Sequence, residues 1–132
     1  MKRTPILCLL LLLFGCAPNS LDDFRHEGES RTRALIYDLQ QINSREVLMR
    51  AEPNLKKHFE KLVDLMIEAR QFQLKNPDLE LLETEERTFS LALKEELRRI
   101  YRIEGGREVM ERAQQEALVR LDAYERARLS KK

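Results

Sequence analysis

The chain has few of the residues that build β-sandwiches, disulfide frameworks and metal sites. Its 132 residues include no tryptophan, four glycines, four prolines, two cysteines and two histidines, and aromatic residues make up 6%. Charged residues account for 36%, a balance that favours amphipathic helices over β-sheets. Lysine and arginine number 24 against 23 acidic residues, so the chain lacks the basic excess typical of nucleic-acid binding.

Only one long apolar run is present, from Pro5 to Phe14, and it follows the cations Lys2 and Arg3. A membrane-spanning helix needs about 20 apolar residues, whereas the core of an export signal needs about 7 to 15. The run could instead be a buried helix of a cytosolic protein. The order of cations, apolar core, small residue and cysteine favours a cleaved signal peptide over residues 1–15.

The run ends in Leu13-Phe14-Gly15-Cys16, which resembles the lipobox of bacterial lipoproteins. Phe14 departs from the smaller or β-branched residue that this family prefers. The resemblance implies that Cys16 receives a diacylglycerol on its thiol, and that two or three acyl chains then hold the protein on the extracytoplasmic side of the membrane. Ala17 stands where inner-membrane lipoproteins often carry aspartate, so the resemblance also implies the outer membrane where one exists.

Cleavage before Cys16 removes Lys2, Arg3 and Cys8, which leaves one cysteine and nearly balanced charges. Because the remaining sulfur is committed to lipid, no disulfide can form within one mature chain. The remaining length suits one small domain.

The mature chain predicts a lipidated N-terminus and tether over residues 16–30 and a helical bundle domain over residues 31–132. In the tether, Ser20 and Asp23 have capping-box spacing, but Gly28 weakens a helix there. Helical periodicity then predicts helices over residues 31–50, 54–75, 77–103 and 107–129. Pro53 ends or kinks the first, although Asn43 and Ser44 could cap an earlier break.

Two further boundaries are marked by local signals. Asn76-Pro77-Asp78 suits the start of a helix, and Gly105-Gly106 suits a turn between helices. The fold class predicted is all-α, a small antiparallel bundle of three to four helices. Its inner stripes contain Leu35, Leu39, Ile42, Met49, Leu55, Phe59, Leu62, Met66, Leu82, Phe89, Leu93, Leu97, Ile100, Met110, Ala113, Ala117, Leu121 and Tyr124.

Acid-then-arginine pairs four residues apart indicate solvated helix surfaces rather than an ion-binding site. These pairs are Glu46 and Arg50, Glu83 and Arg87, Glu95 and Arg99, Glu108 and Arg112, Glu116 and Arg120, and Asp122 and Arg126.

No reactive constellation stands out, so we predict no catalytic, cofactor-binding or metal-ligating residue and no enzyme activity. His26 and His58 do not form an H-E-x-x-H or Glu-x-x-His motif, and both are expected to be solvated. The serines lack G-x-S-x-G surroundings.

The C-terminal sequence from Arg126 to Lys132 resembles the end of the Braun-type murein lipoprotein, whose last lysine is joined to peptidoglycan. The resemblance implies wall attachment through Lys132. That family is one uninterrupted coiled coil, however, whereas Pro53, Pro77 and the Gly105-Gly106 pair interrupt this chain. Basic residues at a helix end also interact favourably with the helix dipole.

Three hypotheses for function follow. The first is a lipid-anchored envelope lipoprotein with a non-catalytic interaction or scaffold role, the second a tether linked to peptidoglycan, and the third an undetected envelope enzyme. For the first, Val63, Ile67 and Tyr101 are the candidate face for a protein partner or self-association, unless they complete the core. No nucleic acid or small-molecule substrate is expected.

Overall fold

The computed structural model describes residues 18–78 and 86–131, which contain four helices. They are α1 (Leu21–Gln40), α2 (Arg45–Lys75), α3 (Glu86–Tyr101) and α4 (Gly106–Leu129). All regular elements in this part of the chain are helical, which confirms the predicted all-α bundle. The predicted signal peptide, Cys16 and Lys132 lie outside the described residues, as does the segment from 79 to 85 of the predicted third helix.

The first helix begins inside the segment predicted as a tether. The Ser20 side chain accepts a hydrogen bond of 3.1 Å from the backbone N–H of Asp23, so the capping spacing does start a helix. Gly28 does not end it. A Cβ added at Gly28 would lie 3.6 Å from Leu65 in α2, which is ordinary van der Waals contact. The non-helical segment predicted over residues 16–30 therefore ends at Ser20.

The first turn lies at residues 41–44, where the sequence offered Asn43 and Ser44 as an alternative break. The Ser44 side chain caps α2 by accepting a hydrogen bond of 3.3 Å from the Val47 N–H. Pro53 lies inside α2, so the predicted helix end at this proline is wrong. Leu48 and Leu55 are fully buried on either side of it, two helical turns apart, and one continuous helix buries both.

Of the other predicted helix boundaries, two are confirmed and one is wrong. The expected helix ends at Lys75 and Leu129 are confirmed. Pro77 and Asp78 lie in a turn, however, and are not helical as predicted.

Gly105 and Gly106 join α3 to α4, as the sequence predicts. Gly105 has φ of 75°, the left-handed region that glycine adopts without strain. Gly106 has no room for a side chain, since an added Cβ would lie 1.9 Å from the carbonyl oxygen of Ile100. The pair therefore allows a sharp turn and a close backbone approach.

The helices α1 and α2 are antiparallel. Contacts between them join Asp38 to His58, Arg31 to Lys61 and Phe24 to Phe72. Residue numbers along α1 therefore fall as those along α2 rise. This agrees with the antiparallel arrangement predicted for neighbouring helices.

The helices α2 and α4 are instead parallel. Ion pairs between them join Glu52 to Arg112, Lys56 to Glu116 and Asp64 to Arg120. Partners rise in number together along both helices, at a sequence separation that stays between 56 and 60 residues. The chain between them must therefore return along the bundle, and α3 makes this return while packing against α1.

The bundle has two distinct ends. We call the end that holds the turns at 41–44 and 102–105 the turn end. The opposite end, where α1 begins and where α2 and α4 finish, is the terminal end. The main core lies toward the turn end, and its buried members form a group that we call the turn cluster. They are Leu35, Leu39, Ile42, Leu48, Leu55, Ile100, Val109, Met110 and Ala113.

Candidate functional site

The outward side of α4 holds a shallow depression of about 560 Å³. Every residue that lines it belongs to α4, so it is a helix surface and not a cleft between elements. Leu118 and Val119 lie in it with exposed fractions of 52% and 62%, among glutamine, arginine and acidic side chains. The depression therefore presents a small apolar surface with a polar surround.

A polar contact between α1 and α2 contains the one histidine that the bundle partly encloses. Oδ2 of Asp38 lies 2.6 Å from Nε2 of His58 and accepts a hydrogen bond of 2.6 Å from Nδ2 of Asn54. The His58 side chain is 17% exposed. The prediction that His58 is solvated is therefore wrong, because the antiparallel partner helix supplies a carboxylate. His26 is exposed on α1, as expected.

In a nucleophilic triad, an aspartate orients a histidine that activates a serine hydroxyl. The role of the contact between Asp38 and His58 therefore depends on the partners of the serine hydroxyls. The Ser20 and Ser44 side chains accept hydrogen bonds from backbone N–H groups at helix starts. The Ser130 hydroxyl donates to the carbonyl of Ala127. These three hydroxyls form hydrogen bonds with backbone groups. The contact between Asp38 and His58 links α1 to α2.

Arg99 closes the turn end. Its guanidinium donates to the carbonyl oxygens of Ile42 and Leu39, at 2.6 and 2.5 Å. A third hydrogen bond, of 2.9 Å, goes to Glu96 and not to Glu95, the partner that the spacing of four predicted. The last carbonyls of a helix lack the N–H partner four residues further on. The Leu39 carbonyl also accepts a hydrogen bond of 3.1 Å from the backbone N–H of Ile42, so Arg99 adds a link from α3 to the end of α1 and to the turn that follows it.

In the ion pairs between α2 and α4, Arg112 and Arg120 bind acidic residues of α2 and not the partners predicted within α4. Arg112 makes two hydrogen bonds to Glu52, of 2.8 and 3.2 Å, and Arg120 bonds Asp64 at 2.5 Å. The hydrogen bonds to Glu52 and Asp64 are the main reason that the pKa values of Arg112 and Arg120 are raised, and the charges of Glu108 and Glu116 add smaller contributions in the same direction. The charged flank of α4 is thus a contact with α2 as well as a solvated surface.

These pairs shift the titration of their carboxyl groups. The hydrogen bonds from Arg112 lower the pKa of Glu52 below its ordinary value of 4.5, and partial burial opposes the shift. The hydrogen bond from Lys56 similarly lowers the pKa of Glu116. Both carboxylates are therefore held in their charged form by a neighbouring helix.

The three residues predicted for a partner face are not equally accessible. Val63 is 6% exposed and belongs to the core, so it is not available for a partner. Ile67 is half-buried. Tyr101 is 39% exposed, and the Arg107 guanidinium lies over its ring at 5.3 Å.

Leu118 and Val119 were not assigned to a partner face from the sequence. Periodicity alone does not show that α4 packs mainly against one helix, so it does not identify the apolar residues that this leaves exposed. The sequence does contain one signal for an exposed apolar surface: Leu118 and Val119 are neighbours that lie outside the stripe of Met110, Ala113 and Ala117.

Other kinds of site are not found in the part of the chain that the structure describes. Residues 18–78 and 86–131 contain no group of three histidine, cysteine, aspartate or glutamate side chains placed to hold a metal ion. Within the same residues, no helix combines the length and the apolar character that crossing a bilayer requires. No family model, curated protein or solved structure matches the chain.

Proposed function

We propose that this protein is a bacterial lipoprotein, anchored through acylated Cys16 to the extracytoplasmic side of the membrane, and that its helical bundle binds another envelope protein without catalysing a reaction. The observation that carries the anchor is the order of Lys2 and Arg3, one apolar run and Leu13-Phe14-Gly15-Cys16. Ala17 supports the outer membrane as the destination where one exists.

The described residues are compatible with this arrangement. In the described part of the chain, the most N-terminal residue of the buried core is Phe24. Two acyl chains hold a protein stably on a bilayer, whereas one chain binds marginally. A lipid anchor at Cys16 would therefore hold the helical domain, whose first helix is capped by Ser20, at the membrane without a spanning helix.

The anchor is tested by replacing its thiol in the full chain. Cys16→Ser should retain the leader and lack the acyl mass on its N-terminal peptide. Cys8→Ser is the matched control, because it changes the other cysteine within the apolar run and should be cleaved and acylated normally. Separating inner and outer membranes locates the wild type. The anchor is wrong if wild type and Cys16→Ser show the same mass and fractionation.

The outward side of α4 is the surface we propose for the partner. This helix packs against α2 and meets α3 only weakly, so its other side is uncovered. Exposed apolar patches rimmed by polar groups are typical of protein contacts. Leu118 and Val119 provide the apolar centre, and Arg112, Gln115 and Asp122 are among the polar groups around them.

Photo-crosslinking in cells tests this surface. A photoreactive amino acid at Val119 should capture a discrete protein of the envelope, and the same amino acid at Leu91 should not. The two side chains are both 62% exposed, so the comparison controls for accessibility. Equal crosslinking from both positions, or none from Val119, would contradict a partner on α4.

A further inference from the structure

We infer that the terminal end of the bundle lies against the lipid headgroups of the membrane that holds Cys16. This inference rests on the proposed lipid anchor and adds an orientation to it. The terminal end contacts the bilayer, and the turn end points away from it.

The first argument is the reach of the linker. Only Ala17 to Ser20 lie between Cys16 and the start of α1 at Leu21. An extended chain covers at most about 3.6 Å per residue, so the Cα atoms of Cys16 and Leu21 are at most about 18 Å apart. The 31 residues of α2 extend for about 46 Å at 1.5 Å per residue. The start of α1 is therefore held close to the headgroups.

The second argument is that two other helices finish at the same level as this start. The ring of Phe24, in the first turn of α1, lies 5.5 Å from the ring of Phe72 near the end of α2. Because α4 is parallel to α2, its last turn with Leu129 also lies at the terminal end. Bringing α1 to the membrane brings these two helix ends with it.

The third argument is the kind of side chain exposed there. Leu74 in α2 and Leu129 in α4 are 57% and 60% exposed. Lys75, Arg126 and Lys131 lie beside them in the sequence and are exposed as well. Leucine next to long cationic side chains suits the boundary between water and acyl chains, where the cations extend to the phosphates.

Acidic residues near this end limit the role of charge. Asp22 pairs with Arg25 at 2.9 Å and Glu125 pairs with Arg128 at 2.7 Å. Asp78 is exposed, and glutamates follow it in the sequence at positions 80, 83, 85 and 86. The contact therefore depends on the short linker and the leucines rather than on a net positive field.

Fluorescence quenching in the acylated protein tests the orientation. Acylation blocks the thiol of Cys16 and cleavage removes Cys8, so an introduced cysteine is the only free thiol. Ser130→Cys carries a fluorophore at the terminal end, and Asn43→Cys carries it at the turn end. Each protein is placed in vesicles of phosphatidylcholine and phosphatidylglycerol that contain a lipid with a nitroxide on its headgroup.

We expect quenching to be at least about twofold stronger at position 130 than at position 43, because only the terminal end approaches the headgroup layer. Equal quenching, or stronger quenching at position 43, would overturn the orientation. If Cys16 carries no acyl group, the proposed function and this inference both fail. An acylated protein with equal quenching overturns this inference alone.

The leucines are tested in the Ser130→Cys protein. Replacing Leu74 and Leu129 by serine should reduce the quenching at position 130. Replacing Leu91 and Met66 by serine is the control, since these side chains are similarly exposed, at 62% and 54%, and lie away from the terminal end. Unchanged quenching in the first variant, or an equal reduction in both, would overturn the contact through the leucines.

Discussion

Four helices contribute side chains to the turn cluster. Among residues 18–78 and 90–131, whose burial the structure describes, the half of the bundle toward the terminal end has fewer buried residues and covers them less completely. Most of the turn cluster is 0% or 1% exposed. Outside it, the buried apolar residues are Phe24, Val63, Leu65 and Ala117, and the first three of these are 5% to 8% exposed.

The difference teaches that stability is not uniform along this bundle. Segments with few buried apolar contacts open at lower free energy than the rest of a protein. We therefore expect the terminal end to open before the turn end. Among the described residues, the half that we place against the membrane is thus the half with fewer buried side chains.

Truncating a leucine in each half is the strongest test of this difference. Leu48 is fully buried in the turn cluster, so Leu48→Ala should lower the free energy of unfolding by about 3–5 kcal/mol. Leu65 is near Gly28 and 5% exposed, so it is less completely buried, and Leu65→Ala should cost about 2–3 kcal/mol. Urea denaturation followed by circular dichroism measures both losses.

Leu74→Ala is the control for this pair, because its side chain is 57% exposed. Its effect should stay within about 0.5 kcal/mol of zero. If Leu65→Ala destabilises the protein as much as Leu48→Ala, the two halves do not differ in the way we describe.

Removing the guanidinium that closes the turn end should have a smaller effect. Arg99→Gln removes the guanidinium hydrogen bonds to the carbonyls of Ile42 and Leu39, although the Leu39 carbonyl still accepts from the backbone N–H of Ile42. We expect a loss of about 1–3 kcal/mol, the usual cost of an unsatisfied, partly buried polar group. Arg98→Gln changes the exposed neighbour and should have little effect. Equal losses in the two variants would show that the hydrogen bonds to α1 contribute nothing.

The smallest effect is expected from the ion pairs between α2 and α4, and it should depend on pH. Arg112 lowers the pKa of Glu52 in the folded protein below its ordinary value of 4.5. The pair therefore stabilises the fold above about that pH, and its contribution is lost as the pH falls through the lowered pKa. The stability gap between wild type and Arg112→Gln should close in acid and in high salt.

Arg126→Gln provides the control on the same helix, since Arg126 lies at the terminal end, beyond the ion pairs to α2. Its stability difference from wild type should not change with pH in this range. A gap for Arg112→Gln that stays constant into acid would show that Glu52 does not gain stability from this contact.

Local signals predicted much of the fold. Gly105 was expected to take the left-handed conformation between two helices, and it does. The ends of α2 and α4 were placed correctly for the same reason, since caps and breakers act within a few residues. Ser44 also acts locally, and it was given as an alternative to Pro53.

The errors come from contacts between residues far apart in the sequence. Gly28 does not end α1, and Leu65 of α2 lies close to it. A proline inside a helix costs about 3 kcal/mol, and the burial of Leu48 and Leu55 on both sides of Pro53 helps to offset this cost. Periodicity identifies apolar faces but not their partners, so the exposed pair on α4 and the carboxylate beside His58 were missed.

The parallel pairing of α2 and α4 sets the order in which the helices acquire neighbours during synthesis. The hairpin of α1 and α2 can close early, because its contacts are local. The second partner of α2 does not exist until about 60 more residues have been made. Until then the flank of α2 that carries Glu52, Lys56 and Asp64 remains in water, and its charges help to keep the unfinished chain from associating with others.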